Sequence, residues 1–491
     1  MVLSSISLQL DDSDQESDQW RLDNMVEQYL PLHGQHVDSI SLEGYPFFLS
    51  HLPASLTKLG SLVVNLLHMQ LQPSDRHRGV LGAAAAPPLK QLRLHSCTLE
   101  GEEGLAAALA MLPGLEHLAI THCHADGKEG NLHVPLGAVV PGLSKLTYLQ
   151  LAPARVDHAS GSDAVLQHLT ALTCLVDLQL LILSDCSITA SMLSGAQHLT
   201  RLDLAGKGDA EVLLEPAALA GRTVLQHLEL CQPLGGAAGT AQLLCELQQL
   251  QQLTCLTLHS LQCAVGCPPA AAYSALTASS KLQCLDLSWC TLPAGVWQHV
   301  FPAGKQLPHL QYLILDGVRH PAGPVAAPEG TRLVRCCPGL EILDLRGLQY
   351  SRGMLASLQG LGSLTVLRVK PGDGSADGLE GVCQLTGLQQ LHVQEPPGAA
   401  EGLLLQLTQL RQLTYLRHSA WQGGAAWPRT HSFDKVSKTV SNCAAAGCMH
   451  GCVLFGSHGC FIERLSQPTQ RGYHIVLKVT WLLSCATGLL C

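Results

Sequence analysis

Aromatic side chains are scarce here, at 4% of 491 residues. That excludes a core built on bulky rings and leaves leucine and alanine to fill thin, regularly stacked layers. Charge is also sparse, at 14%, with a net value of −9. Without a basic surplus there is no electrostatic footprint for a phosphate backbone, so nucleic acid is excluded as a general partner. No apolar run reaches the ~18 residues of a membrane-spanning helix. The nearest, Ile475 to Cys491, is broken by Lys478. The start, Met1 to Ser5, lacks a basic region and a long apolar run and turns acidic at Asp11, Asp12 and Asp14. That is not the pattern of a secretory signal, and the expectation is a cytoplasmic or nuclear protein with no membrane partner. Phosphate-loop, zinc-protease and nucleophile-elbow motifs are missing too. His122 and His124 flank Cys123, but neighbours in sequence do not orient a base toward a nucleophile. The expectation is no enzyme, no cofactor and no metal.

What the chain has in quantity is repetition. Leu89, Leu92, Leu94, Cys97 and Leu99 fit L-x-x-L-x-L-x-x-C-x-L, and so do Leu282, Leu285, Leu287, Cys290 and Leu292. A third copy reads Leu178, Leu181, Leu183, Cys186 and Ile188; a fourth reads Leu115, Leu118, Ile120 and Cys123. Looser copies begin at Val37, Leu59, Leu146, Leu199, Leu225, Leu253, Leu310, Leu340, Leu364, Leu388 and Leu413. The L-x-L core alternates with period two, which is a strand with one buried face. Ala/Leu segments lie between strands, such as Gly104 to Gly114 and Pro293 to Gly304, closed by Pro and Gly stops. Each repeat is therefore strand, turn, short helix. Stacked, the repeats predict an α/β solenoid of horseshoe form, with a parallel concave sheet and short convex helices. Of the 20 cysteines, several fall at the ninth repeat position, which predicts reduced, buried thiols acting as small hydrophobes.

The ends differ. Residues 1–36 read as an N-terminal cap or the remnant of an upstream module, with Leu3 to Leu8 as a leading strand and Arg21 to Leu30 as a helix. Residues 37–423 form the repeat array. Residues 424–491 read as a divergent Cys- and Gly-rich tail, poorly ordered, whose Cys443, Cys448, Cys452, Cys460, His450 and His458 have no zinc-knuckle spacing.

If the leucines of each L-x-L point inward, the residues between and beside them point outward. The central column reads Arg93, Ala119, Gln150, Ile182, Asp203, Glu229, Thr257, Asp286, Ile314, Asp344, Arg368, His392 and Arg417. Its middle is acidic and its C-terminal end basic. A flanking column adds Asp316, Arg346 and Lys370, and the other adds Tyr148, Tyr312 and Tyr415. These charged and Tyr positions are the candidate partner-binding residues of the concave face.

The copies resemble leucine-rich repeat proteins of the plant and green-algal type, on runs such as Gln248 to Thr254, Gln406 to Leu416 and Leu52 to Leu59. Leu30 to Leu42 is similar to the opening of the array in algal F-box leucine-rich repeat proteins. There an F-box docks on a ubiquitin-ligase adaptor ahead of the repeats. No complete F-box fits here, since Leu30-Pro31 runs straight into the first repeat. The resemblance implies a protein-binding scaffold, with two alternatives: a ubiquitin-ligase substrate receptor whose F-box is missing from this chain, or a structural component of the cytoskeleton or axoneme.

Overall fold

The leucine spacing sets the backbone. The computed structural model describes residues 5–9, 28–43, 56, 58–65, 68–69, 89–96, 98–99, 109, 112–125, 142–154, 168–182, 186–206, 212–231, 236–262, 267–319, 323–351, 353–370, 381–395, 410, 412–420, 461–469 and 472–480. It divides into two units, Met1–Leu253 and Thr254–Cys491.

In the first unit, parallel strands run from Ser5–Gln9 through Ser39–Glu43, Ser61–Asn65, Gln91–His95, His117–Thr121, Tyr148–Ala154, Asp177–Ile182 and Arg201–Gly206 to His227–Cys231. The register is leucine on leucine: Leu62, Leu92, Leu118, Leu149, Leu178, Leu202 and Leu228 are partners in turn, and all are buried. The second unit repeats this from Cys255–His259 through Cys284–Asp286, Tyr312–Ile314, Ile342–Leu345, Val366–Val369 and Gln390–Glu395 to Tyr415–Ala420. A slipped register would turn each leucine row to water, at about 1.5–3 kcal/mol per side chain.

A second device feeds each strand. The first leucine of a repeat donates its N–H to the residue three before it, as in Leu115 to Leu112, Leu146 to Leu143, Leu310 to Leu307 and Leu364 to Leu361. The next two N–H groups then converge on one carbonyl of the preceding repeat. Glu116 and His117 share Lys90, and Gln311 and Tyr312 share Gln283.

The strand ends in a fixed turn. Ser96, His122, Ser260 and Trp289 all have φ between 54° and 63°, and Gly317 and Gly347 stand at the same repeat offset with φ of 67° and 75°. The N–H of this residue donates to the preceding offset of the next repeat: Ser96 to Thr121, Ser260 to Ser288, Trp289 to Asp316 and Gly317 to Arg346. One residue on, the thiol of Cys123 reaches the Leu94 carbonyl at 3.7 Å, and that of Cys290 reaches the Leu258 carbonyl at 3.0 Å. The ninth-position cysteines thus occupy the site where a side-chain donor can satisfy backbone of the previous layer. Burial pushes the Cys290 thiol up to about 12.

One expectation needs correction, and three further features refine the reading of the repeats. The third copy is shifted by three residues. Leu175, Leu178 and Leu180 point inward, and Ile182 is buried rather than outward, so Gln179 holds the central position opposite Asp203. The run Leu175 to Leu183 fits the repeat in either frame. The neighbouring Leu149/Leu151 and Leu202/Leu204 rows select one. A bulge where Ala152, Pro153 and Ala154 face Leu181 and Ile182 ends the matched pairing.

The inter-strand segments are mostly 3₁₀ turns, at His168–Ala171, Pro216–Leu219, Ala270–Thr277, Ala356–Leu358 and Val382–Gln384. Longer α-helices are Gly236–Leu247 and Ala327–Cys336. Pro293 to Gly304 does hold a helical turn, Trp297–Val300. Of Gly104 to Gly114, only Leu109 and Leu112–Gly114 lie within the described residues.

The cysteines are not uniformly thiols. Cys123, Cys290, Cys336 and Cys337 are free and buried, but Cys267 is disulfide-bonded. Its position after the strand, outside the ninth-position row, frees it from the thiol's packing role.

Two strands of the tail lie within the described residues. Phe461–Thr469 and Gly472–Thr480 pair as an antiparallel hairpin, which adds antiparallel to Tyr415–Ala420, with Tyr415 opposite Lys478 and His418 opposite Ile475. Tyr473, Ile475, Leu477 and Val479 give it the period-two alternation of a strand. The hairpin pairs the last repeat strand's open edge, as Ser5–Gln9 pairs the first full repeat's. Cys443, Cys448, Cys452, Cys460, His450 and His458, like Cys97 and residues 21–27, lie outside the described residues.

Candidate functional site

The outward side chains form rows because parallel strands about 4.8 Å apart bring the same offset of successive repeats together. Each unit carries its own face.

In the first unit the N-terminal part is basic and aromatic. Arg93 is exposed. Its Nη2 lies 3.2 Å from His117 Nε2. The His117 ring stacks on Tyr148 at 3.8 Å and 10°, and the Tyr148 hydroxyl donates to Gln150 Oε1 at 3.0 Å. Burial, with the Arg93 charge added, pushes His117 down to about 4, so it stays neutral at physiological pH. Arg93 and Tyr148 therefore belong to one connected group.

Further along the same unit lie Asp177, Arg201, Asp203, His227 and Glu229. Asp203 and Glu229 are direct register partners. Arg201 sits 3.7 Å from Asp203 and 3.9 Å from Asp177, and His227 lies 3.7 Å from Glu229. Burial pushes the Asp203 carboxyl up to about 6, and the Glu229 charge adds to it. This zone is acidic, as expected from Asp203 and Glu229. Asp177 and Arg201 belong to it too: they continue the flanking column of Tyr148, which the shifted frame of the third copy hid at Asp177.

In the second unit the face has an apolar row, Cys255, Cys284, Tyr312, Ile342 and Val366, beside charged ones. Tyr312 is 37% exposed. Asp286 accepts from the Ser288 N–H at 2.8 Å and the Ser288 hydroxyl at 2.5 Å, and its other oxygen lies 3.3 Å from His259 Nε2. Burial alone would raise this carboxyl. The bonds from His259 and Ser288 outweigh it and hold it below its ordinary value.

Asp344 departs from its expected place on the surface. It is 0% exposed. It accepts from the Arg346 N–H at 3.1 Å, from Arg346 Nε at 2.9 Å and Nη2 at 2.8 Å, and from Arg368 Nη1 at 3.3 Å. Arg346 also reaches Asp316 at 3.3 Å. The carboxylate is a post beneath two guanidinium groups, so the surface there presents Arg346 and Arg368 rather than Asp344. Burial works against the Arg346 charge, but Asp344 and Asp316 outweigh it and raise its pKa. Asp316 is itself shifted up by burial. Lys370 is half-buried in the next repeat. Tyr415 is half-buried with its ring 5.3 Å from His392, and the Arg417 side chain lies outside the described residues.

Trp289 is the residue sequence reasoning missed. It is 57% exposed in the left-handed turn after its strand. The signal was present: Trp stands where the next two repeats have Gly317 and Gly347.

Among the described residues no three His, Cys, Asp or Glu side chains group as a metal site, and no helix is long and apolar enough to cross a membrane. The described side chains of these faces are ordered by ion pairs and hydrogen bonds among themselves.

No protein-family model matches the chain, and no curated protein is similar to it. Solved structures are. An internalin from Listeria monocytogenes superposes with a TM-score of 0.50 at 13% identity, over 75% of this chain and 94% of that one. A TDR receptor gives 0.49 at 16%, over 79% and 60%, and TLR13, in its complex with ssRNA13, gives 0.41 at 18%, over 78% and 58%. The chain spans about three fifths of those two receptors. At such identities the likeness concerns the fold alone. The fold of the chain is an α/β leucine-rich repeat solenoid.

Proposed function

We propose that this chain is a non-catalytic scaffold that binds another protein on the outward strand faces of its repeats. The observation that carries the reading is the fixed lattice of the second unit. Arg346 and Arg368 are held over the buried Asp344 carboxylate, on the strand face that also carries the exposed Tyr312. Side chains already ordered lose little freedom on docking, and Arg and Tyr are the anchors that dominate protein interfaces. The net charge of −9 argues for protein over nucleic acid as the general partner. The ubiquitin-ligase and cytoskeletal readings rest on the sequence resemblance only.

The test is quantitative affinity capture with the full chain as bait, against the double variant Tyr312→Ala/Arg368→Ala. Expected is at least one protein recovered by the wild type in proportion to bait and reduced roughly tenfold by the variant. No protein above background at any salt concentration, or recovery equal with both baits, would refute the face as the binding surface.

A further inference from the structure

The rim of the second unit contains a feature that the packing of the repeats does not need. At the left-handed turn after each strand, Ser96, His122 and Ser260 are small or polar, and Gly317 and Gly347 are glycines. Trp289 alone among these described positions is a large aromatic, and a bulky side chain with φ of 63° is strained there. More than half of its surface faces solvent. Its ring lies across Gly317, where an added Cβ would stand 2.6 Å from Trp289 Cε3 and 2.9 Å from Cδ2. Beyond it, an added Cβ at Gly347 would stand 2.8 Å from Gly317 Cα and 3.6 Å from Asp316 Oδ1. The two glycines thus let the indole lie down on bare backbone and leave an open shelf, edged on its far side by the Asp316 carboxylate. On the near side Trp289 follows Ser288, which fixes Asp286 through two hydrogen bonds.

Resting on the scaffold reading above, we propose that this shelf is a docking point for a cationic side chain, an arginine or lysine, carried by a basic segment of a protein partner. The indole packs on the Gly317 backbone, and more than half of the residue is open to solvent. The face of an indole attracts a cation, tryptophan most strongly of the aromatics. The carboxylate edge supplies complementary charge. Asp316 takes one guanidinium contact, from Arg346, whose closer bonds go to Asp344, and the Lys370 charge also acts on it, yet burial still holds the carboxyl above its ordinary value. A second cation at Asp316 therefore relieves a carboxylate that is only partly compensated, whereas an acidic segment would meet Asp286 and Asp316 as like charges. The strained turn holds the ring in place before binding, so little ordering remains for the moment of contact.

The experiment measures fluorescence anisotropy of the full chain with three labelled peptides, (Gly-Arg-Ser)4, (Gly-Gln-Ser)4 and (Gly-Glu-Ser)4. The expected order has the arginine peptide tightest, weakening as salt rises. Trp289→Asn, whose side chain tolerates the left-handed turn, is expected to weaken the arginine peptide by roughly 5- to 10-fold, and Trp289→Phe by less. Asp316→Asn is expected to weaken it several-fold, with circular dichroism unchanged in each variant. Equal or tighter binding of the neutral or acidic peptide, or an arginine-peptide affinity unchanged by Trp289→Asn, would overturn the proposal. Capture separates the two readings. A partner kept by Trp289→Asn but lost by Tyr312→Ala/Arg368→Ala refutes the shelf and leaves the scaffold standing. A partner kept by both refutes both.

Discussion

Arg222 offers the sharpest test of how the repeats are held together. It is 4% exposed. Its Nε donates to the Ala218 carbonyl at 2.6 Å, its Nη1 to Ala196 and its Nη2 to Leu193. The last two carbonyls belong to the turn that closes the helix Ala190–Leu193 of the preceding repeat, and Ala218 to the 3₁₀ turn of its own. One guanidinium therefore ties two layers through carbonyls at the ends of their helical turns. Burial lowers its pKa, yet an arginine stays charged throughout the accessible range. Bonds from a charged donor contribute about 1.5–3 kcal/mol each, so three amount to about 5–9 kcal/mol. Taking the guanidinium out of water offsets several kcal/mol of that. Arg222→Met, which keeps the apolar stem and removes the donors, should therefore cost about 3 kcal/mol. For a unit of this size that is a fall in Tm of roughly 6–12 °C. Arg222→Lys, able to reach one carbonyl, should lose about half as much. Thermal melts followed by circular dichroism measure both. A Tm of Arg222→Met within 2 °C of wild type would mean that the carbonyls are satisfied without the guanidinium, and the argument would fail.

Two further outcomes follow from burial. Cys174 and Cys245 are exposed, whereas Cys290 is buried with its thiol pushed up to about 12. In the native protein at pH 8, a maleimide should label the first two within minutes and Cys290 only after unfolding, as peptide mass spectrometry would show; rapid native labelling of Cys290 would contradict the packing. Asp203 is held up at about 6 against an ordinary value of 3.8. Because its folded value is raised, ionisation costs the native state stability as pH climbs from about 4 through 6. Asp203→Asn should therefore gain about 1–3 kcal/mol at pH 7.5 in urea unfolding and almost nothing at pH 3.5; an equal gain at both would show that the carboxylate's charge is not the cause.

Much of the architecture was readable from residues alone. Leu92, Leu118, Leu285 and Leu313 mark buried strand positions because a period-two row has only one face to bury. Their recurrence fixes a stack of parallel strands, since a single repeat cannot cover its own apolar side. The outward places of Arg93, Tyr148, Asp203 and Tyr312 follow from the same alternation. What the alternation left open needed neighbours. Leu175 to Leu183 fits two frames, and only the rows on either side decide that Ile182 turns inward. Asp344 sits in the same column as Asp286, yet its depth and the second guanidinium above it, that of Arg368, come from the neighbouring repeat. Arg222 carries no repeat signature, because its carbonyl partners are set by how two turns stack. Trp289 and Gly317 lie 28 residues apart in sequence, and the flat seat of one on the other exists only once the layers meet. Side-chain periodicity is a local property and was settled by the order of the amino acids. Burial of charge and the meeting of distant groups are properties of adjacency between layers, and those the tertiary structure decided.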